Sequence, residues 1–205
     1  MPAKILCIAG PTASGKSARA VEEALAQNGE IISVDSRQVY RGLNIGTEKI
    51  TKEEMCGIPH HLIDIRDVNE TYSAGDFVAD AIRLIEEISA RGKLPILVGG
   101  THFYFDALLN GLPAGVDTNL ELREELEQLP TEELYARVRS ADARRASELD
   151  PKNRRRLIRA LEIIESIGAV PSRYPKDMPI GRSCGYLTNW VIIDPPKEEL
   201  RTRID

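Results

Sequence analysis

The octapeptide GPTASGKS, Gly10 to Ser17, directly follows the apolar run ILCIA and opens the run from Ser17 to Gln27, which reads as a helix. No other feature constrains the fold as tightly. A loop of the pattern Gly-x-x-x-x-Gly-Lys-Ser turns its backbone N–H groups toward an anion at the start of the next helix, where the helix dipole also favours negative charge. Gly10 and Gly15 allow close backbone approach, and Pro11, Thr12, Ala13 and Ser14 form the arch between them. Lys16 supplies a point charge, and the Ser17 hydroxyl is suited to Mg²⁺. The strand before it, the helix after it and all four fixed positions make a chance glycine turn a poor account. The loop specifies a polyphosphate without specifying ATP.

A strand–loop–helix start predicts a parallel sheet, and the next segments continue the alternation. KILCIA is a short apolar strand, EIISV a second and LPILV a third. Asn28-Gly29 stops the first helix. Ser73 to Arg91 is the clearest helix: Ser73 and Asp76 have capping-box spacing, Phe77, Ala81, Leu84, Ile85 and Ile88 share one face, and Gly92 ends it. Thr101 to Leu109 predicts a further helix, closed by Asn110-Gly111. Strands alternating with helices imply a parallel sheet covered on both faces.

After Pro113 the pattern changes. Leu120 to Ile167 holds no convincing strand and reads as several helices, the last from Asn153 to Ile167 with Gly168 as its stop. NWVIID, from Asn189, is strand-like again, and PPKEELRTRID opens a helix. The expected organisation is an α/β core over 1–112, an all-helical insertion over 113–187, and a return strand with the start of a core helix over 188–205.

Charge sharpens the view of the insertion. The chain carries a net charge of −5, which argues against bulk nucleic-acid binding. Yet between Arg137 and Arg159 nine basic residues face three acids. A local basic surface on an acidic chain signals a specific anion partner. Cys7, Cys56 and Cys184 are odd in number and far apart, so neither a disulfide framework nor a zinc site is expected. No apolar run is long enough to span a membrane, and the first residues lack the basic flank and long apolar stretch of a signal peptide, so neither feature is expected. A reduced, cytoplasmic protein is expected.

A phosphate-loop enzyme that handles nucleotides normally has an Asp at the end of another strand to hold Mg²⁺. LPILV ends in Gly99-Gly100-Thr101 instead. The acid stands after IISV, as Asp35 in DSRQVYRGLNIGT. Strand ends near the loop are where such sheets bind ligands. Asp35 can be a general base, a metal ligand or a solvated turn residue. Ser36 and Gln38 beside it suit a base edge or a phosphate, or polar contacts within the loop.

GPTASGKS, ISVDSRQVYRGLNIGT, IPHHLID, YSAGDF, ILVGGTHFYFDALLNGL and RRRLIRALEI follow one another in order and spacing. Together they resemble the tRNA dimethylallyltransferase, or tRNA isopentenyltransferase, family over nearly the whole chain. The resemblance implies a phosphate-loop α/β core with an all-helical insertion. It also implies transfer of a dimethylallyl group from dimethylallyl diphosphate to the exocyclic amine of the adenosine 3′ of the tRNA anticodon, with Mg²⁺ as cofactor. Carried over, residues 10–17 hold the diphosphate, with Lys16 catalytic and Ser17 the metal ligand. Asp35 is then the base and Thr101 a polar contact at the transfer site. Asp35, Ser36, Arg37, Gln38, Thr101, Arg123, Arg155, Arg156 and Arg159 become the tRNA-contacting set. A monomer is expected. Family members run on past the position of Asp205, so the resemblance implies further C-terminal elements. A nucleotide or small-molecule kinase, or an enzyme prenylating free adenine nucleotides, is the alternative the loop alone would allow.

Other residues are weighed on chemistry. His60 and His61 point to opposite faces of an extended segment, so structural roles are expected over joint ligation. His102 stays open. Tyr104 and Phe105 read as packing residues before prenyl-pocket residues. Arg123 reads by spacing as an i,i+4 salt-bridge residue. Arg155 and Arg159 share a helix face that Arg156 borders. This is either a solvated charged face or a phosphate-contacting one, and the basic window together with the resemblance favours the latter. The family has a histidine where Asp150 stands and an acid where Asn153 stands.

Overall fold

The computed structural model describes residues 3–111, 119–167 and 185–204. Cys184, Gly168 and the stretch around Pro113 lie outside them. Contacts divide the chain into two units, Met1–Leu112 with Gly181–Asp205, and Pro113–Ile180.

In the first unit, β1 (Lys4–Ala9), β2 (Gly29–Ser33), β3 (His60–His61), β4 (Leu94–Gly99) and β5 (Leu187–Ile192) form a parallel sheet in the order β3-β2-β4-β1-β5. Leu6 pairs with Ile96 on one side of β1 and with Asn189 on the other. Alternation along β1 sorts its side chains between two cores, as the two-residue period requires. Leu6 and Ile8 join Ala20, Val21 and Ala24 of α1 (Lys16–Gln27). Ile5, Cys7 and Ala9 join Phe77, Leu84 and Ile85 of α2 (Ala74–Ala90) and Tyr104 of α3 (His102–Asn110). The sheet is thus covered on both faces, and Cys7 is core.

Local chemistry explains the helix limits. Asn28 ends α1 in the left-handed conformation, with φ 51°. The Ser73 hydroxyl accepts from Asp76 N at 3.2 Å, while the Asp76 carboxylate accepts from Ser73 N at 2.8 Å, completing the box. Phe77, 1% exposed, contributes roughly 2–3 kcal/mol by burial.

Two features depart from the sequence reading. The short strand β3 was not foreseen. The return strand is Leu187–Ile192 and not Asn189–Asp194, because Leu187 N already donates to Ala3 O at 2.9 Å. It is also an edge strand, with Leu187, Trp190 and Ile192 at 60, 44 and 73% exposed.

In the second unit, α4 (Leu120–Glu127), α5 (Thr131–Ala141), α6 (Ala143–Glu148) and α7 (Arg154–Ile167) enclose their own core of Leu126, Leu134, Val138, Leu149, Leu157 and Leu161. A last helix, α8 (Lys197–Ile204), follows β5 in the first unit.

Candidate active site and basic helical face

The loop between β1 and α1 has the shape its sequence demands. Gly15 caps α1 at φ 84°, a left-handed position that glycine adopts without strain. Ala13 is left-handed too, at φ 61°. Ser14 N donates to Pro11 O at 3.3 Å, and Lys16 Nζ donates to the same carbonyl at 3.1 Å. The Ser14 hydroxyl is buried, with no hydrogen-bond partner among the described residues. A buried hydroxyl without a partner is costly, and a ligand oxygen can supply the missing bond. Burial lowers the pKa of Lys16, and the charges of Glu48 and Asp35 act against that fall.

The second wall comes from the ends of β2 and β4. A Cβ on Gly99 would overlap the carbonyl group of Val34, so only glycine lets the two strand ends come this close. The close approach is bonded on both sides: Val34 N donates to Val98 O at 2.7 Å, and Thr101 N to Val34 O at 3.3 Å. Asp35 therefore emerges at a fixed place. Its Oδ1 accepts from Arg37 N at 2.7 Å and Gln38 N at 3.1 Å. Ser36 N donates to Thr101 Oγ1 at 3.2 Å, joining the two strand ends. Gln38 is held by Ser33 Oγ, which donates to Oε1 at 3.0 Å, and by Thr47 O, which accepts from Nε2 at 3.0 Å.

Lys16, Ser17, Asp35 and Gln38 line a single cleft, together with Ser33 and Gly99. Ser36 and Thr101 are bonded beside it, and Arg37 is exposed. Ser33, which anchors Gln38, was missed, although a polar residue closing an apolar strand was a usable signal. Glu48, which accepts the Ala13 N–H at 3.0 Å, was also missed, and nothing in its spacing could have announced it.

The two histidines part company. His60 Nδ1 lies 2.8 Å from Ile58 O, whereas His61 Nε2 lies 2.8 Å from Glu30 Oε2. Tyr104 stacks on Phe77 with centroids 4.6 Å apart, and Phe105 packs against Trp190 at 5.2 Å. Both are buried packing residues. His102 is exposed.

The arginines of the helical unit do not form one uniform face. Arg123 does not make an i,i+4 pair. It reaches from α4 to Glu162 of α7, with Nη2 2.9 Å from Oε2. Arg159 Nη1 meets the same oxygen at 3.3 Å. Glu162 is fully buried, and its Oε1 has no partner among the described residues. Burying a carboxylate this deeply is costly unless such partners offset the lost hydration. Both arginines remain about two-fifths exposed. Arg155 and Arg156 are exposed, and no described residue forms an ion pair with them. Much of the basic window is internally neutralised, since Arg137, Arg144 and Arg145 pair with nearby glutamates. Arg154 binds the carbonyls of Leu126, Glu127 and Leu129, closing the end of α4.

Among the described residues no cluster of three or more His, Cys, Asp or Glu could hold a metal ion, and no helix is long and apolar enough to cross a membrane.

Comparison with known proteins agrees with this architecture. The family model for IPP transferase matches residues 38–205. A tRNA dimethylallyltransferase of Streptococcus thermophilus is 53% identical over 167 residues, covering 80% of this chain and 54% of the relative. One from Streptococcus gordonii is 44% identical over all of this chain and 67% of its own. The chain thus spans about half to two thirds of the length of these curated relatives. Among solved structures, a eukaryotic dimethylallyltransferase acting on tRNA superposes with a TM-score of 0.85 at 32% identity, over 98% of this chain and 51% of that one. The tRNA isopentenylpyrophosphate transferase of Bacillus halodurans superposes with a TM-score of 0.64 at 41% identity, over 98% and 63%. A parallel α/β sheet with a phosphate loop, a family model spanning most of the chain and relatives of this likeness give one conclusion: the chain belongs to the IPP transferase family.

Proposed function

We propose that this chain carries the diphosphate-binding and adenosine-binding parts of a tRNA dimethylallyltransferase. The observation that carries the reading is the placement of the acid. β4, the neighbour of β1, ends in Gly99-Gly100-Thr101, and the carboxylate in the cleft is Asp35, one strand further out. That arrangement departs from the metal-holding acid of phosphoryl-transfer enzymes and suits a base.

In this reading, residues 10–17 bind the diphosphate of dimethylallyl diphosphate. The allylic C–O bond breaks and its electron pair leaves with the diphosphate. Lys16 and the loop amides are aimed at the charge that grows there, an electrostatic effect often worth several kcal/mol. The adenine amine forms the new C–N bond. Its lone pair is delocalised into the ring, so it needs help in shedding its proton. Asp35, held by two main-chain N–H groups through Oδ1, accepts that proton. Thr101 and Gln38 stand where they can orient the base. The adenosine reaches them only when it is turned out of the anticodon stack.

Mg²⁺ fits the donors present: the Ser17 hydroxyl is a hard oxygen ligand beside the loop, and diphosphate oxygens and water would complete the shell. When bound it neutralises charge on the leaving group. Arg155, Arg156 and the Arg123–Glu162–Arg159 cluster are assigned to RNA phosphates, and action on tRNA supports a cytoplasmic site of activity. The resemblance to proteins named for tRNA supports this assignment.

The test is mass spectrometry of an anticodon-loop RNA after incubation with the protein, Mg²⁺ and dimethylallyl diphosphate. One prenyl unit gained on adenosine is the expected result. Labelled phosphate transferred from ATP, with no prenyl gain, would instead establish the kinase alternative.

A further inference from the structure

The loop assigned to the diphosphate already holds an anion belonging to the chain itself. Glu48 lies thirty-five positions from Ala13, yet its Oε2 accepts the Ala13 N–H at 3.0 Å. Ala13 stands at the turn of the loop, in the left-handed conformation that lets successive amides point to one side. An amide there is among the donors that an incoming phosphate oxygen would use.

Glu48 is not a drifting surface group, although its side chain is exposed. It is left-handed itself, at φ 47°, a conformation that costs a residue with a Cβ and persists only where neighbours impose it. The neighbours are visible. Thr47 O is tied to Gln38 Nε2 at 3.0 Å. Lys49 Nζ, its side chain 5% exposed, donates to Tyr40 O at 2.7 Å and pairs with Asp64 at 2.6 Å. Glu48 N and Lys49 N close a turn on Ile45 O and Asn44 O, each at 3.1 Å. The backbone is thus clamped on both sides of Glu48, and its carboxylate is delivered to the loop. Lys16 senses this charge as well as that of Asp35.

A carboxylate and a diphosphate cannot share this amide. Both are acceptors without a proton to donate, and like charges in a partly desolvated loop repel strongly. We propose that Glu48 is an internal occupant of the diphosphate loop, satisfying its donors before the ligand arrives and withdrawing when a diphosphate binds. The proposal rests on the reading of residues 10–17 as a diphosphate site. Its consequence is a binding penalty: part of the ligand's interaction goes into displacing Glu48.

The experiment titrates inorganic pyrophosphate into the wild-type chain, Glu48→Gln and Glu48→Ala, with and without Mg²⁺, by calorimetry. Losing a charge-assisted hydrogen bond that the ligand must replace should tighten pyrophosphate binding about tenfold in Glu48→Ala, with Glu48→Gln in between. Equal or weaker binding by Glu48→Ala overturns the proposal, and weaker binding confined to Mg²⁺ would make Glu48 a metal-side ligand instead. If the wild type and both variants all fail to bind pyrophosphate, the diphosphate site itself falls. A second measurement needs no ligand: the Ala13 amide resonance should move on Glu48→Ala while α1 resonances stay in place, and an unmoved Ala13 signal overturns the contact.

Discussion

In the α/β unit, Asp35 is held by main-chain N–H groups of Arg37 and Gln38, and Thr101 by the N–H of Ser36. In the helical unit, Arg123 and Arg159 meet at one carboxylate oxygen of Glu162, and Arg155 and Arg156 stand in solvent. The first arrangement fixes short side chains by bonds to a backbone that two paired strands already immobilise. The second ties Arg123 and Arg159 to a buried carboxylate and leaves Arg155 and Arg156 with most of their rotamer freedom. Chemistry on a reacting atom needs the first kind, because a misplacement of about 1 Å can cost on the order of a hundredfold in rate. Attraction to a phosphate needs only charge at about the right depth, which arginine supplies without rigid placement.

Single atoms should therefore matter in one unit and summed charge in the other. The largest expected effect is Asp35→Asn. The amide oxygen can still accept both main-chain N–H groups, so the turn survives while basicity is lost. Single-turnover prenyl transfer should fall about 10²–10⁴-fold with both substrates still bound. A defect relieved by excess Mg²⁺ would make Asp35 a metal ligand, and an unchanged rate would break the comparison.

Glu30 tests whether side-chain partners alone can hold a charge as firmly as backbone does. It is buried in the α/β unit, which by itself raises its pKa. Hydrogen bonds from His61, Lys93 and Arg91 outweigh that effect and bring it to about 2. A carboxyl depressed in the folded state stabilises fully above its unfolded value near 4.5, and loses that stabilisation as pH falls toward 2. Urea unfolding followed by circular dichroism should show the wild type losing on the order of 3 kcal/mol more than Glu30→Gln across that window. Parallel pH curves for the two proteins would remove the charge network.

Lys16→Ala removes one placed charge beside the leaving group. Turnover should drop about a hundredfold, with RNA affinity intact. A parallel loss of RNA binding would mean that the loop also serves the nucleic acid.

The smallest effect belongs to the helical unit. Arg155→Ala with Arg156→Ala should weaken tRNA binding and lower its salt dependence by roughly two units of log slope, leaving pyrophosphate affinity unchanged. An unaltered slope would return this face to solvent.

How much of this was legible beforehand follows the range of the interactions. The loop at 10–17, the capping box at Ser73 and Asp76, and the buried stripe of α2 were all readable, because each is set by residues within a few positions of one another. β3 was not readable. Two histidines carry no strand periodicity, and they become a strand only because His60 and His61 lie along Ile31 and Ile32. The pairing of Arg123 was misjudged for a related reason. Its sequence neighbourhood offers Glu127 at i+4, but the partner it uses is brought from α7 by the packing of the helical core.

By itself, then, the sequence determined that a parallel sheet carries a phosphate loop, that a helical unit follows, and that Asp35 is the acid to consider, since strand pattern, glycine placement and capping are local and their physics needs no partner. The tertiary structure alone decided that Gly99 must be glycine where Val34 lies against it, that Glu162 draws in Arg123 from α4, and that Glu48 bonds the loop at Ala13. Each of these joins residues far apart in the chain. Such contacts form only where burial and backbone bonding have already overcome the entropy of closing the intervening loop, and no short-range pattern records that outcome.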